Sequence, residues 1–126
     1  MAEFRTTITA TLNVRDWPRA MEFYRAGFGA EELFVIPGGG VAQLAVHGAA
    51  FWVAEESKDH QNFSPETLSG CSVRMLLVVE DPHTTQARAI AAGATEVYPV
   101  RDSHGWRVGR IVDPAGHHWE IAREVG

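Results

Sequence analysis

FGAEELF, residues 28–34, has a counterpart in AAGATEVY, residues 91–98, and NVRDW at 13–17 has one in VVEDP at 78–82. In each copy a strand runs into an Asp-led helix start, and a small-residue break after the helix runs into the next strand. Self-similarity at a fixed offset marks a duplicated unit, and two copies of about half the chain make a pseudo-symmetric domain rather than a solenoid. This repetition decides the fold class: α+β, with a β-α-β-β-β unit occurring twice in tandem and curling into a mixed sheet.

Hydrophobic period fills in the unit. Ile8 to Val14 alternates with Thr and Asn as a half-buried strand does. Asp16 predicts the cap of a helix with Pro18 in its first turn, and Trp17, Ala20, Met21, Tyr24 and Phe28 recur at helical spacing before Gly27 and Gly29 end it. Strands follow at Glu31 to Ile36, at Val41 to Val46 after the turn Pro37-Gly38-Gly39-Gly40, and at Ala50 to Glu55 after His47-Gly48. In the second copy a strand covers Cys71 to Val79. Asp81-Pro82 opens a helix carrying Ala87, Ile90 and Ala91 on one face, and Gly93 closes it. Strands then cover Thr95 to Val100, Trp106 to Val112 and His117 to Ala122. The expectation is one domain over 1–126, with units at about 5–56 and 70–124 and helices at about 16–28 and 82–92 on the outside. The polar linker 57–69 is the expected mobile segment.

Composition narrows the function classes. A formal charge of -5 without a Lys/Arg cluster argues against a nucleic-acid partner, which needs a basic stripe. The longest purely aliphatic run, Met75 to Val79, is far too short to span a membrane. The opening MAEFRTTITA shows neither the basic nor the apolar stretch of a secretory signal. The single Cys71 cannot form an intramolecular disulfide, so a reducing cytoplasm is the expected compartment, with Cys71 packed as a small hydrophobe. Nucleophile elbows, Walker loops and dinucleotide-binding glycine patterns do not occur.

The tandem unit, FYRAGFGAEELF after the first helix, AAGATEV after the second and the closing GRIVDPAGHHWEIA resemble the vicinal oxygen chelate superfamily. Within it the chain is similar to the small glyoxalase and bleomycin-resistance branch. The resemblance implies that two half-cups form one cavity, with a divalent metal at its floor held by residues of the first and fourth strands of each unit. Carried over by position, those sites are Thr9, Trp52, Arg74 and Glu120. Only Glu120 suits a hard cation: Thr is a weak neutral donor, Trp has no ligand atom, and Arg brings a permanent positive charge. Strand alternation sets His118 on the face of Glu120, and His117 with Trp119 on the other. Glu120 and His118 are therefore the weak metal candidates, with Glu55, Gln43 or His47 as further donors, and also the candidate acid/base groups.

The predicted ligand-binding set is Thr9, Trp52, Arg74, Trp106, His118 and Glu120. Each has a structural reading too: Arg74 with Glu120 as an ion pair, His118 as an ordinary hydrogen-bonded histidine, and His104 with Trp106 as a loop packed on the core rather than an aromatic wall. Asp16 and Asp81 read as helix caps, and Asp113-Pro114-Ala115-Gly116 as a type I turn. The expected function is binding of a small molecule, such as an antibiotic or another amphipathic metabolite, in a cup completed by a homodimer and holding no cofactor. The alternative is a metal-dependent lyase, isomerase or dioxygenase with a divalent ion. A third is a cofactor-free enzyme using Glu120 with Arg74 or His118.

Overall fold

The computed structural model describes residues 3–126. The first unit comprises β1 (Thr11–Val14), α1 (Trp17–Phe28), β2 (Glu31–Val35), β3 (Val41–Val46) and β4 (Ala49–Glu55). A short 3-10 turn (Lys58–His60) and α2 (Pro65–Leu68) connect it to β5 (Arg74–Val78), α3 (Pro82–Ala91), β6 (Thr95–Ser103), β7 (Trp106–Val112) and β8 (His118–Glu124). The strands form two four-stranded sheets of the same order, β1-β4-β3-β2 and β5-β8-β7-β6, and the first and fourth strands of each unit pair in parallel. Register breaks in β2 and β6, the outer strands, bend the sheets.

The helix signals are realised by the side chains that predict them. Asp16 accepts from the Arg19 N–H at 3.1 Å and Asp81 from the Thr84 N–H at 3.2 Å. Gly29 ends α1 in the left-handed region, its N–H bonded to the Arg25 carbonyl. One face of α1, carrying Met21, Tyr24 and Phe28, is buried with Leu44, Phe51 and Val53 of the first sheet and Ile111, Trp119 and Ile121 of the second. The two helices also touch: Arg88 of α3 donates to the Ala26 carbonyl at 2.8 Å. They cover the sheet faces remote from the open ones, as expected, and are seamed together over a shared core.

Several boundaries differ from expectation. β1 starts at Thr11 and not at Ile8, which is 99% exposed. Its ladder continues only to Ala10, whose carbonyl accepts from the Trp52 N–H. β5 starts at Arg74, and Cys71 is exposed rather than packed, its thiol donating to the Val73 carbonyl. β6 runs on to Ser103, so the His104-Gly105 segment is a two-residue hairpin turn with both residues at positive φ. The linker is organised: Glu56 accepts from the Ser64 N–H at 3.0 Å and the Thr67 hydroxyl at 2.7 Å, and these bonds pull its carboxyl down to about 2. Among the described residues no helix is long and apolar enough to cross a membrane.

Candidate functional site on the open face of the second sheet

Register brings Leu76 of β5, Glu120 of β8, Arg110 of β7 and Tyr98 of β6 into one row across the second sheet. One pleat period along, Arg74, His118 and Val112 form the next row. Arg74 Nε donates to Glu120 Oε1 at 2.5 Å, across the diagonal between the rows. Arg110 Nη2 stands 3.8 Å from Glu120 Oε2, and the Tyr98 hydroxyl 3.5 Å from the same oxygen. The Arg110 guanidinium also lies over the Tyr98 ring, 5.5 Å from its centroid. One carboxylate is thus bracketed by two permanent cations.

The face that β8 presents is fixed from behind by Asp113. This buried carboxylate accepts from the Ala115 and His117 N–H groups on one oxygen, and from the Tyr24 hydroxyl and Trp119 Nε1 on the other. Burial, and then the negative charge of Asp113, push the Tyr24 phenol well above its usual range. His117 points the same way, its Nε2 lying 2.8 Å from the Asn13 carbonyl. With His117 and Trp119 inward, alternation turns His118 and Glu120 to the open face. Gly116 closes the turn with φ +96, and a Cβ there would press on Pro65. The turn is therefore structural, as its residues predict.

Two clefts lie over this face. One, of about 300 Å³, is lined by Leu76, His104, Trp106, Val108, Glu120 and Ala122 with Ser103. The other, of about 140 Å³, is lined by Cys71, Ser72, Val73, Arg74, Arg110 and His118. Arg74, Trp106, His118 and Glu120 are therefore brought together, with Trp106 on a strand and not in a packed loop. Thr9 and Trp52 are not: Trp52 belongs to the equivalent row of the first sheet, Thr11-Trp52-Gln43-Phe34, with its ring 6.3 Å from Phe34. Thr9 lies just before β1, its hydroxyl donating to the carbonyl of its neighbour Ala10. The expected six-residue lining divides because each sheet gives its other face to the shared core, and both clefts draw on the second unit alone.

The donor set does not fit a divalent cation. Among the described residues no three of His, Cys, Asp and Glu are grouped closely enough to hold one. Gln43 lies in the first sheet, Glu55 at the end of β4, and His47 in the β3–β4 turn, away from Glu120's strand pairings. Arg74 sets a permanent positive charge against Glu120.

The paired β-α-β-β-β sheets, together with the family match, define a member of the vicinal oxygen chelate superfamily. A family model described as a glyoxalase-like domain matches residues 9–122, and the chain belongs to that family. An uncharacterized protein of Mycobacterium bovis is 34% identical over 122 residues, which is 90% of this chain and 80% of that protein. A gene product of Arabidopsis thaliana superposes with a TM-score of 0.73 at 27% identity, covering 94% of this chain and 99% of that one. A glyoxalase/bleomycin resistance protein/dioxygenase family enzyme from Burkholderia phytofirmans PsJN shares the fold at a TM-score of 0.72 and 18% identity, covering 92% and 97%.

Sequence reasoning missed Arg110 and Tyr98. The signal for Arg110 was present: an antiparallel hairpin closed by the Asp113–Gly116 turn sets residue 110 opposite 120. Tyr98 was hidden by the register breaks on either side of it.

Proposed function

We propose that the protein binds a small amphipathic molecule on the open face of the second sheet, without a metal, and sequesters it. The observation that carries this reading is the Arg74–Glu120 pair, in which a guanidinium sits where the superfamily places a ligand for the cation. Affinity comes from apolar contact along Leu76, Val108 and Trp106, with Arg74, His118 and Glu120 as polar anchors. The site is open to one side, and Leu76 and Val78 on it are more than half exposed, as is Leu33 of the first sheet. A second copy covers it, laying the Trp52 and Phe34 face of its first sheet over these residues, so the protein is a homodimer. The ligand is an antibiotic-like compound or a metabolite of similar build. The exposed, unpaired Cys71 suits a reducing compartment.

A thermal-shift screen over aromatic antibiotics, glycopeptides, thiol conjugates and 2-oxo acids tests this. A ligand at a hundred times its dissociation constant adds about 2.7 kcal/mol. Stabilisation that disappears in Trp106→Ala supports the assignment, while stabilisation untouched by Trp106→Ala and Arg74→Ala places binding elsewhere. Sedimentation at micromolar concentration should report twice the chain mass, and a monomer contradicts the covering copy.

A further inference from the structure

We infer that the ligand carries a single anionic head, a carboxylate or a phosphonate, held between Arg74 and Arg110 in the smaller cleft, with its apolar body lying along Trp106 in the larger one. This rests on the binding function proposed above and names the chemical class it selects. The chain as a whole is acidic, at -5, yet the site is locally cationic. Glu120 meets Arg74 at 2.5 Å and Arg110 at 3.8 Å, so two guanidiniums share one carboxylate. Arg101 adds a third positive charge beside Tyr98, 5.0 Å from its ring centroid. Glu124, further along the same strand face, lines neither cleft.

Arg110 is also incompletely satisfied. Its Nε is buried without a hydrogen-bond partner among the described residues, and its contact to Glu120 is too long for a good hydrogen bond. Among the described residues the Arg110 guanidinium makes no good hydrogen bond, and a second carboxylate or phosphonate is the chemistry that meets its terminal N–H groups where Arg110 lines the cleft. The smaller cleft supplies the rest of an anion site: Ser72 and His118 line it with both arginines. At about 140 Å³ it is the smaller of the two clefts and takes the head group. The larger cleft beside it is walled by Trp106, Val108 and Leu76, and Glu120 touches the arginines of one cleft while lining the other. An amphipathic anion therefore spans the two.

Glu120 then competes with the ligand's head for Arg74, which sets a sign that no cation or metal site shares. Removing its charge in Glu120→Gln frees a guanidinium and strengthens anion binding.

The test is calorimetric titration of the full chain with naphthylacetate and phenylphosphonate, each beside its neutral amide or diester. The anions bind about tenfold or more tighter than their neutral partners, the size of one charge-assisted hydrogen bond. Arg110→Gln and Arg74→Gln each remove about that factor for the anion and leave the neutral compound unchanged. Glu120→Gln raises anion affinity. Preference between the two acids assigns the head as carboxylate or phosphonate. Equal affinity for acid and amide overturns the anion assignment while leaving a binding protein. Weaker anion binding in Glu120→Gln overturns it as well. Because Arg110 packs on Tyr98, its variant is checked by circular dichroism, and the more exposed Arg74→Gln carries the test if Arg110→Gln does not fold. Absence of binding by every probe, while another compound of the screen is held at Trp106, also overturns the anion inference. No binding by probes or screen overturns both readings.

Discussion

Replacing Asp113 by Asn should destabilise the protein by about 2–5 kcal/mol, far more than its conservative shape suggests. One carboxylate oxygen takes the Ala115 and His117 N–H groups, and the other takes Tyr24 and Trp119 Nε1. An amide has only one accepting oxygen. If it faces the two backbone donors, its NH2 group meets the Tyr24 hydroxyl, which can rotate and accept, and the Trp119 N–H, which cannot. One buried donor is then orphaned, at about 1–3 kcal/mol, and the remaining bonds lose the strengthening of an ionised partner. The opposite orientation orphans two backbone donors instead. Urea unfolding followed by tryptophan fluorescence measures the loss. Tyr24→Phe should cost about 1.5–3 kcal/mol, and the double variant less than the sum, because both act on one network. A midpoint for Asp113→Asn within about 0.5 kcal/mol of wild type refutes the network as the support of β8.

Tyr24 also predicts alkaline sensitivity. Its folded pKa is raised above the ordinary value of 10.0, so the folded state keeps a proton that the unfolded chain releases. Stability is fully present below about pH 10 and falls as pH rises beyond it; a urea series across that range should show the fall, and Tyr24→Phe should flatten it. Arg74→Ala should cost no more than about 1 kcal/mol, because the Arg74 side chain is 61% exposed and that of Glu120 21%; a loss of several kcal/mol in chemical unfolding would mean a dry, fully desolvated pair. Gly109→Ala should cost about 1–3 kcal/mol, since a Cβ there collides with the buried Gln86 amide, and thermal melting reads the change. Glu56, at about 2 against an ordinary 4.5, supports the linker above pH 4.5 and releases it as pH falls through 2; limited proteolysis of Glu56→Gln at neutral pH should cut between residues 57 and 69 where wild type resists.

The duplicated pattern made the fold legible, because both Asp-capped helices and most strand cores were written in local period and turn chemistry. Strand ends were less so. Ile8 alternates correctly, but among the described residues the pairing with β4 reaches back only to Ala10, and nothing local marks where a partner strand stops. The order of the linker was hidden because it is set by the bonds of the Glu56 carboxyl to Ser64 and Thr67, which no periodic pattern marks, while Cys71 falls outside β5 with its thiol on the Val73 carbonyl. At the site, alternation in HHWE correctly separated His117 from His118 and Glu120. The pairing of Glu120 with Arg74 followed from the superfamily positions. The split between Thr9 with Trp52 and the second-sheet residues was not legible, because it depends on how the two units pack through α1 and α3.

In the metal-free binding proposed, Arg74 stands in the place of a metal ligand. Metal analysis of the purified protein, paired with titration of Mn, Fe, Ni and Zn, tests it most directly. Wild type should carry substoichiometric metal, with weak binding that Glu120→Ala does not change. One tightly held ion per chain, lost in Glu120→Ala, would contradict it.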